Sequence, residues 1–76
     1  MSIQLEVSQI QADIAATEKD LGEFEHQYSM STADFFNQWQ AGQIDDRMDY
    51  VEWASLAQMA ENLRKRLAFL SGENQK

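Results

Sequence analysis

Residues 3–28, IQLEVSQIQADIAATEKDLGEFEHQY, decide the fold. Ile3, Val7, Ile10, Ile14, Thr17, Leu21, Phe24 and Tyr28 recur at alternating steps of four and three, the heptad period of a helix that packs against another along its whole length. Proline is absent from the chain, and Gly22 lies outside this seam, where it weakens a helix by about 1 kcal/mol without stopping it. One helix is therefore expected over 2–28, about 40 Å long at 1.5 Å per residue.

A second seam answers the first. Trp53, Leu56, Ala60, Leu63, Leu67 and Leu70 are again spaced by three and four, predicting a helix over 46–70 with Asp45 or Asp46 as its cap, Gly72 beyond its end and a frayed tail at 71–76. Between the two, Ser31 and Asp34 form a capping pattern, Met30 and Phe35 stand at staple spacing, and Gly42 supplies a stop, so a short helix is expected over 32–41. Two long helices joined by a compact connection fold back on each other. In one antiparallel register Val7 meets Leu70, Ile10 meets Leu67, Ile14 meets Leu63, Thr17 meets Ala60, Leu21 meets Leu56, Phe24 meets Trp53 and Tyr28 meets Asp49. Large faces large, small faces small, and a phenol faces a carboxylate. The expected fold is a single all-α domain over 1–76: a long antiparallel, coiled-coil-like hairpin with a short helix in its connection.

Five of the eight aromatic residues fall between positions 35 and 53. Phe35, Phe36 and Trp39 share one face of the short helix, and Tyr50, Val51 and Ala54 offer a facing surface, which predicts a three-helix core capping the hairpin. Part of this cluster, with its acidic surroundings, also has the make-up of a protein-binding surface.

Charge narrows the function. Thirteen acids oppose six bases in 76 residues, a net charge of −7, with the only basic excess at 64–76. Such a surface repels phosphate backbones and suits a basic protein. The start of the third helix, where a helix-turn-helix protein would read a DNA groove, carries Asp45, Asp46 and Asp49, so nucleic acid is an unlikely partner. Arg64, Lys65 and Arg66 are expected to complement the helix C-terminus and to pair with acids such as Glu61, and Asp13 or Glu6 across the hairpin. No stretch is apolar enough for a membrane span, no secretory pattern opens the chain and cysteine is absent, pointing to a soluble cytoplasmic protein without disulfides.

Motifs for chemistry are sparse. Glu23 and His26 have the Glu-x-x-His spacing of carboxylate-bridged metal bundles, yet both lie outside the seam and the chain has one histidine, so no metal or other cofactor is expected. The Asp45, Asp46, Asp49 and Glu52 cluster lacks the alternating ligands and central glycine of a calcium loop. No phosphate loop or activated nucleophile is present, and an enzyme is not expected. Leu5 and Phe69 point away from both seams at the open end of the hairpin, and Ala12 and Ala16 extend Leu5 into a stripe; these four are the expected contacts of a homodimer, a four-helix bundle.

From Tyr28 to Leu56 the chain resembles a group of short prokaryotic proteins encoded beside toxin-like genes and regarded as antitoxin components. The segments that carry the resemblance are YSMS (28–31), FF (35–36), AGQIDD (41–46) and DYVEWASL (49–56), with departures at Ser29 and Gln43. The resemblance implies a regulator that acts by protein contact and neutralises a basic partner; none of that group's binding residues carries over. An RNA-handling toxin needs a positive cleft, which an acidic helical surface can fill as a phosphate mimic. The residues expected to meet such a partner are the acids Glu18, Asp20, Glu23, Glu25 and Glu52, taken as unpaired, with Phe36, Trp39 and Tyr50. Two other roles fit the same residues: an oligomerising scaffold without regulatory activity, and a metal-binding bundle using Glu23 and His26 from paired copies.

Overall fold

A computed structural model describes residues 3–72. Within them the protein is all-helical: α1 (Ile3–Tyr28), α2 (Thr32–Gln40) and α3 (Met48–Ser71), with no strand among the described residues. Residue 2, the side chain of Ile3 and the tail at 73–76 lie outside the description, so the expectations placed on them do too.

α3 runs back along α1. The register shows at two of the expected pairs: the Tyr28 hydroxyl donates to Asp49 Oδ2 at 2.5 Å, and the Phe24 and Trp53 rings stack with centroids 5.5 Å apart. Thr17 and Ala60, the small pair, are both buried, and the Thr17 hydroxyl donates to the Asp13 carbonyl at 2.8 Å, so the one buried polar side chain of the seam is satisfied. The hairpin is long and thin, 43 × 25 × 17 Å, with a radius of gyration of 14.4 Å against about 11 Å for a compact chain of this length.

Burial is concentrated at the closed end. Phe35 and Trp53 are fully buried and lie face to face, 4.0 Å between centroids and 1° between planes. Tyr28 stacks on Trp53 at 5.8 Å, and Tyr50 packs near Phe35 at 5.6 Å. The Trp53 indole N–H donates to Thr32 Oγ1 at 3.0 Å, as a buried indole requires. Phe36 and Trp39 remain half-buried, so the aromatic cluster divides between interior and surface. Toward the open end only two helices meet, and Val7, Ile14, Leu63, Leu67 and Leu70 stay half-buried although Ile10 is covered.

The connections follow backbone chemistry. Ser29 takes a left-handed conformation (φ 53°) and the Met30 N–H reaches back to the Glu25 carbonyl at 3.2 Å, closing α1 with a turn that ordinarily calls for glycine. The Ser31 hydroxyl accepts from the Asp34 N–H at 3.1 Å, and α2 ends with Gly42 at φ 72°. α3 begins two residues later than expected, with Arg47 rather than Asp45 or Asp46 at its cap. Asp45 instead turns its carboxylate onto the Arg47 N–H at 3.2 Å, an Asx turn that uses up the acceptor before the helix starts. At the far end α3 continues through Ser71, whose hydroxyl donates to the Leu67 carbonyl at 2.9 Å, and Gly72 closes it at φ 80°.

Two positions carry the wrong residue for their backbone. Gly22 is an exposed mid-helix site where an added Cβ meets nothing within 4 Å, whereas Ser29 holds a conformation glycine adopts freely. Gly22→Ala and Ser29→Gly should each stabilise the fold by about 0.5–1 kcal/mol and raise the thermal midpoint by about 3–6 °C. Thermal unfolding followed by circular dichroism checks both; a lowered midpoint for Ser29→Gly would contradict the turn described here.

Candidate functional site

In an antiparallel two-helix seam the positions flanking the core pair edge to edge, and the two edges differ. One edge takes Glu18 and Glu25 from α1 and Ala57 and Arg64 from α3. The other takes Asp13, Asp20 and Gln27 from α1 and Glu52, Met59 and Arg66 from α3. Glu18 and Arg64 make the first pairing concrete at 2.6 Å, and Thr17 Oγ1 lies 3.9 Å from the Met59 sulfur on the second.

α2 lies at the first edge. Between it and the hairpin opens a groove of about 600 Å³ with Leu21, Phe36, Ala57 and Ala60 among its apolar lining and Glu18, Glu25, Glu61 and Arg64 as its charged lining. Phe36 also borders a shallower cleft of about 360 Å³ on the other flank of α2, with Trp39, Val51 and Ala54. On the second edge a small cleft of about 220 Å³ is framed by Asp20, Glu23 and Glu52 around Phe24 and Gln27. Seven of the eight residues expected to meet a partner divide among three surfaces. Glu18, Glu25 and Phe36 share the groove, Asp20, Glu23 and Glu52 share the second edge, and Trp39 borders the α2 cleft. Tyr50 joins none of them; it is half-buried against Tyr28 at 5.2 Å, with the Arg47 guanidinium 4.8 Å over its ring.

Two of the acids are not unpaired. Glu18 is held by Arg64, its counterpart across the edge. Glu25 accepts the Thr32 N–H at 2.7 Å, taking up one of the free donors at the start of α2. By contrast, Asp20, Glu23 and Glu52 enter no ion pair among the described residues. Glu61 pairs with Lys65 at 3.6 Å as expected, but the cross-hairpin pair is Glu18–Arg64 rather than one made by Arg66. Reading the flanking heptad positions, and not the seam alone, would have found Arg64 and Ala57. Nothing in sequence pointed to Thr32.

Glu23 and His26 are both exposed, and among the described residues no three His, Cys, Asp or Glu side chains converge as a metal site. Leu5 and Phe69 are 72% and 65% exposed, with Ala12 and Ala16 exposed beside Leu5. Helical phase places Leu5 and Phe69 roughly 130–180° from their own seams, so they face opposite sides of the hairpin and do not form one patch within a copy. Among the described residues no helix is long and apolar enough to cross a membrane.

No protein-family model matches the chain, and neither does any curated protein or solved structure.

Electrostatics ties the closed end together. The hydrogen bond to Asp49, aided by burial, raises the Tyr28 hydroxyl above its ordinary value of 10.0, and the Arg47 N–H and guanidinium hold Asp45 below the usual carboxylate value. Because the folded state favours the protonated phenol, its contribution to stability is complete below about pH 10 and is lost as pH rises through the raised value. The stability difference between the wild-type chain and Tyr28→Phe should therefore shrink above about pH 10, which denaturant midpoints measured across that range will show. A difference independent of pH would rule the link out.

Proposed function

We propose that this chain is a small acidic regulator of the antitoxin-like kind, a cytoplasmic protein without enzymatic activity that neutralises a basic partner protein by helical contact. The observation that carries this reading is the second hairpin edge, where Asp20, Glu23 and Glu52 surround a cleft and none is drawn into an ion pair among the described residues. Carboxylates left without local counter-charges extend their field into solvent, accelerate encounter with a positive surface and lose that effect as salt rises. The protein should be recovered from its host with one small basic protein. Replacing the three acids (Asp20→Asn, Glu23→Gln, Glu52→Gln) should slow association with that protein by about tenfold at low salt while leaving the thermal midpoint within about 2 °C. Stopped-flow kinetics at two salt concentrations measures this, and unchanged rates would overturn the steering role.

We also propose that the chain forms homodimers, because large exposed side chains at the open end favour it. Leu5, Ala12 and Ala16 fall on one stripe of α1, where the alanines let two copies of the helix approach closely about a twofold axis. Phe69 lies on the opposite side of the hairpin, outside that stripe. Sedimentation at about 100 μM should show a dimer that Leu5→Lys converts to monomer; a wild-type monomer at that concentration would dismiss the proposal.

A further inference from the structure

α2 is too short to cover more than a small part of the hairpin. Its nine residues reach about 13 Å, while α1 extends about 39 Å. Where α2 packs, the hairpin is well covered, and Ala54 beneath it is buried. Beyond it the edge is open: the seam residues Ile14, Leu63 and Leu67 are half-buried, and the flanking positions Gln11 and Ser71 carry no charge. The groove of about 600 Å³ lies at the junction of the covered and uncovered parts.

Its lining specifies an occupant. The floor is apolar and low, Leu21 and Phe36 with Ala57 and Ala60, so a helix backbone can come close without displacing large side chains. Three carboxylates and one guanidinium surround it; Arg64 is engaged by Glu18 at 2.6 Å, Glu25 accepts the Thr32 N–H at 2.7 Å, and Glu61 meets Lys65 at 3.6 Å in an exposed pair that an incoming cation can share. The net charge of the lining is negative, in a chain whose own charge is −7 and whose one basic excess lies at 64–76, so most of a second copy's surface brings acid to acid. The geometry points to this groove as the seat of a basic amphipathic helix contributed by the partner, packed beside the first turns of α2 and adding a third helix to the hairpin. A helix satisfies its own backbone, sets apolar side chains on Leu21, Phe36 and Ala60, and turns Lys or Arg toward Glu25 and Glu61. The inference rests on the proposal of a basic partner and adds which surface holds it and in what conformation; the acidic second edge steers the approach and the groove provides the contact.

The test titrates three synthetic peptides of about 17 residues, long enough to run about 25 Å along the edge, into the isotope-labelled 76-residue chain at low salt. The first is a Leu/Ala/Lys amphipathic helix, the second its scramble with equal charge, the third the same helix with Glu for Lys. The amphipathic Lys peptide should bind about tenfold more tightly than its scramble and shift the amides of Leu21, Phe36, Ala57 and Ala60, and the Glu peptide should not bind. Ala57→Arg, which fills the groove, and Glu61→Lys, an exposed rim change that leaves the core untouched, should each weaken binding by about tenfold or more. Equal binding of helix and scramble, or shifts gathered at Asp20, Glu23 and Glu52, would overturn the groove while leaving the basic-partner reading intact. Failure of both Lys peptides to bind would overturn both. Self-association abolished by Ala57→Arg would assign the groove to a second copy and overturn the inference as well.

Discussion

The structure depends on the surroundings of one indole. Trp53 has Phe35 against it at 4.0 Å, Phe24 and Tyr28 stacked at 5.5 and 5.8 Å, and its N–H on Thr32 Oγ1, so residues of all three helices meet at a single side chain. A buried indole N–H without an acceptor is costly, and here the acceptor is the first residue of α2. The backbone N–H of that same residue is held by Glu25 of α1. The path Glu25–Thr32–Trp53 therefore fixes where α2 begins, and with it the hairpin edge against which α2 lies. That choice separates the two edges into one with a groove and one with free carboxylates.

The hairpin was legible because its signals agree with one another. Period, residue size and one polar pair all select the same register, and Tyr28 meeting Asp49 would be lost by any slip of α3 along α1. The start of α3 was not legible because three aspartates compete for one cap. Asp45 turns onto its own chain, Asp49 is taken by a phenol 21 residues earlier, and the helix begins behind Arg47 without a side-chain cap. Ionic partners were harder still. Which acid meets Arg64 depends on which edge each residue occupies, and a seam read only for apolar residues discards that information.

Of the candidate site, the acids on the second edge could be named from sequence because their signal is composition, an acid-rich stretch; that Lys19, four residues before Glu23, forms no ion pair with it is visible only in the structure. The groove could not be named that way. Its floor is made of Leu21 and Ala60, which in sequence look like ordinary members of two seams, and of Ala57 at a flanking position, and it takes shape only where the first turns of α2 meet the hairpin. Glu18 and Arg64 at its margin are each about half exposed, so their ion pair contributes little to stability. Their place at the groove matters more than their pairing energy.

A gradient of burial runs along the molecule. Fully buried aromatic stacking occupies the closed end, while the open end offers two helices whose apolar residues, Ile10 apart, are half in water or more exposed. Local opening is easiest where the least apolar surface is buried, so the free energy of opening falls from the Trp53 end toward Val7 and Leu70. A ligand that covers the weaker end stabilises the whole helix pair by mass action, and the gain is largest where intrinsic burial is least. Binding along the uncovered edge would therefore couple to the order of α1 and α3 over their open halves. In such a complex an acidic chain of this size would gain a third layer that its own nine-residue α2 does not supply along the open half.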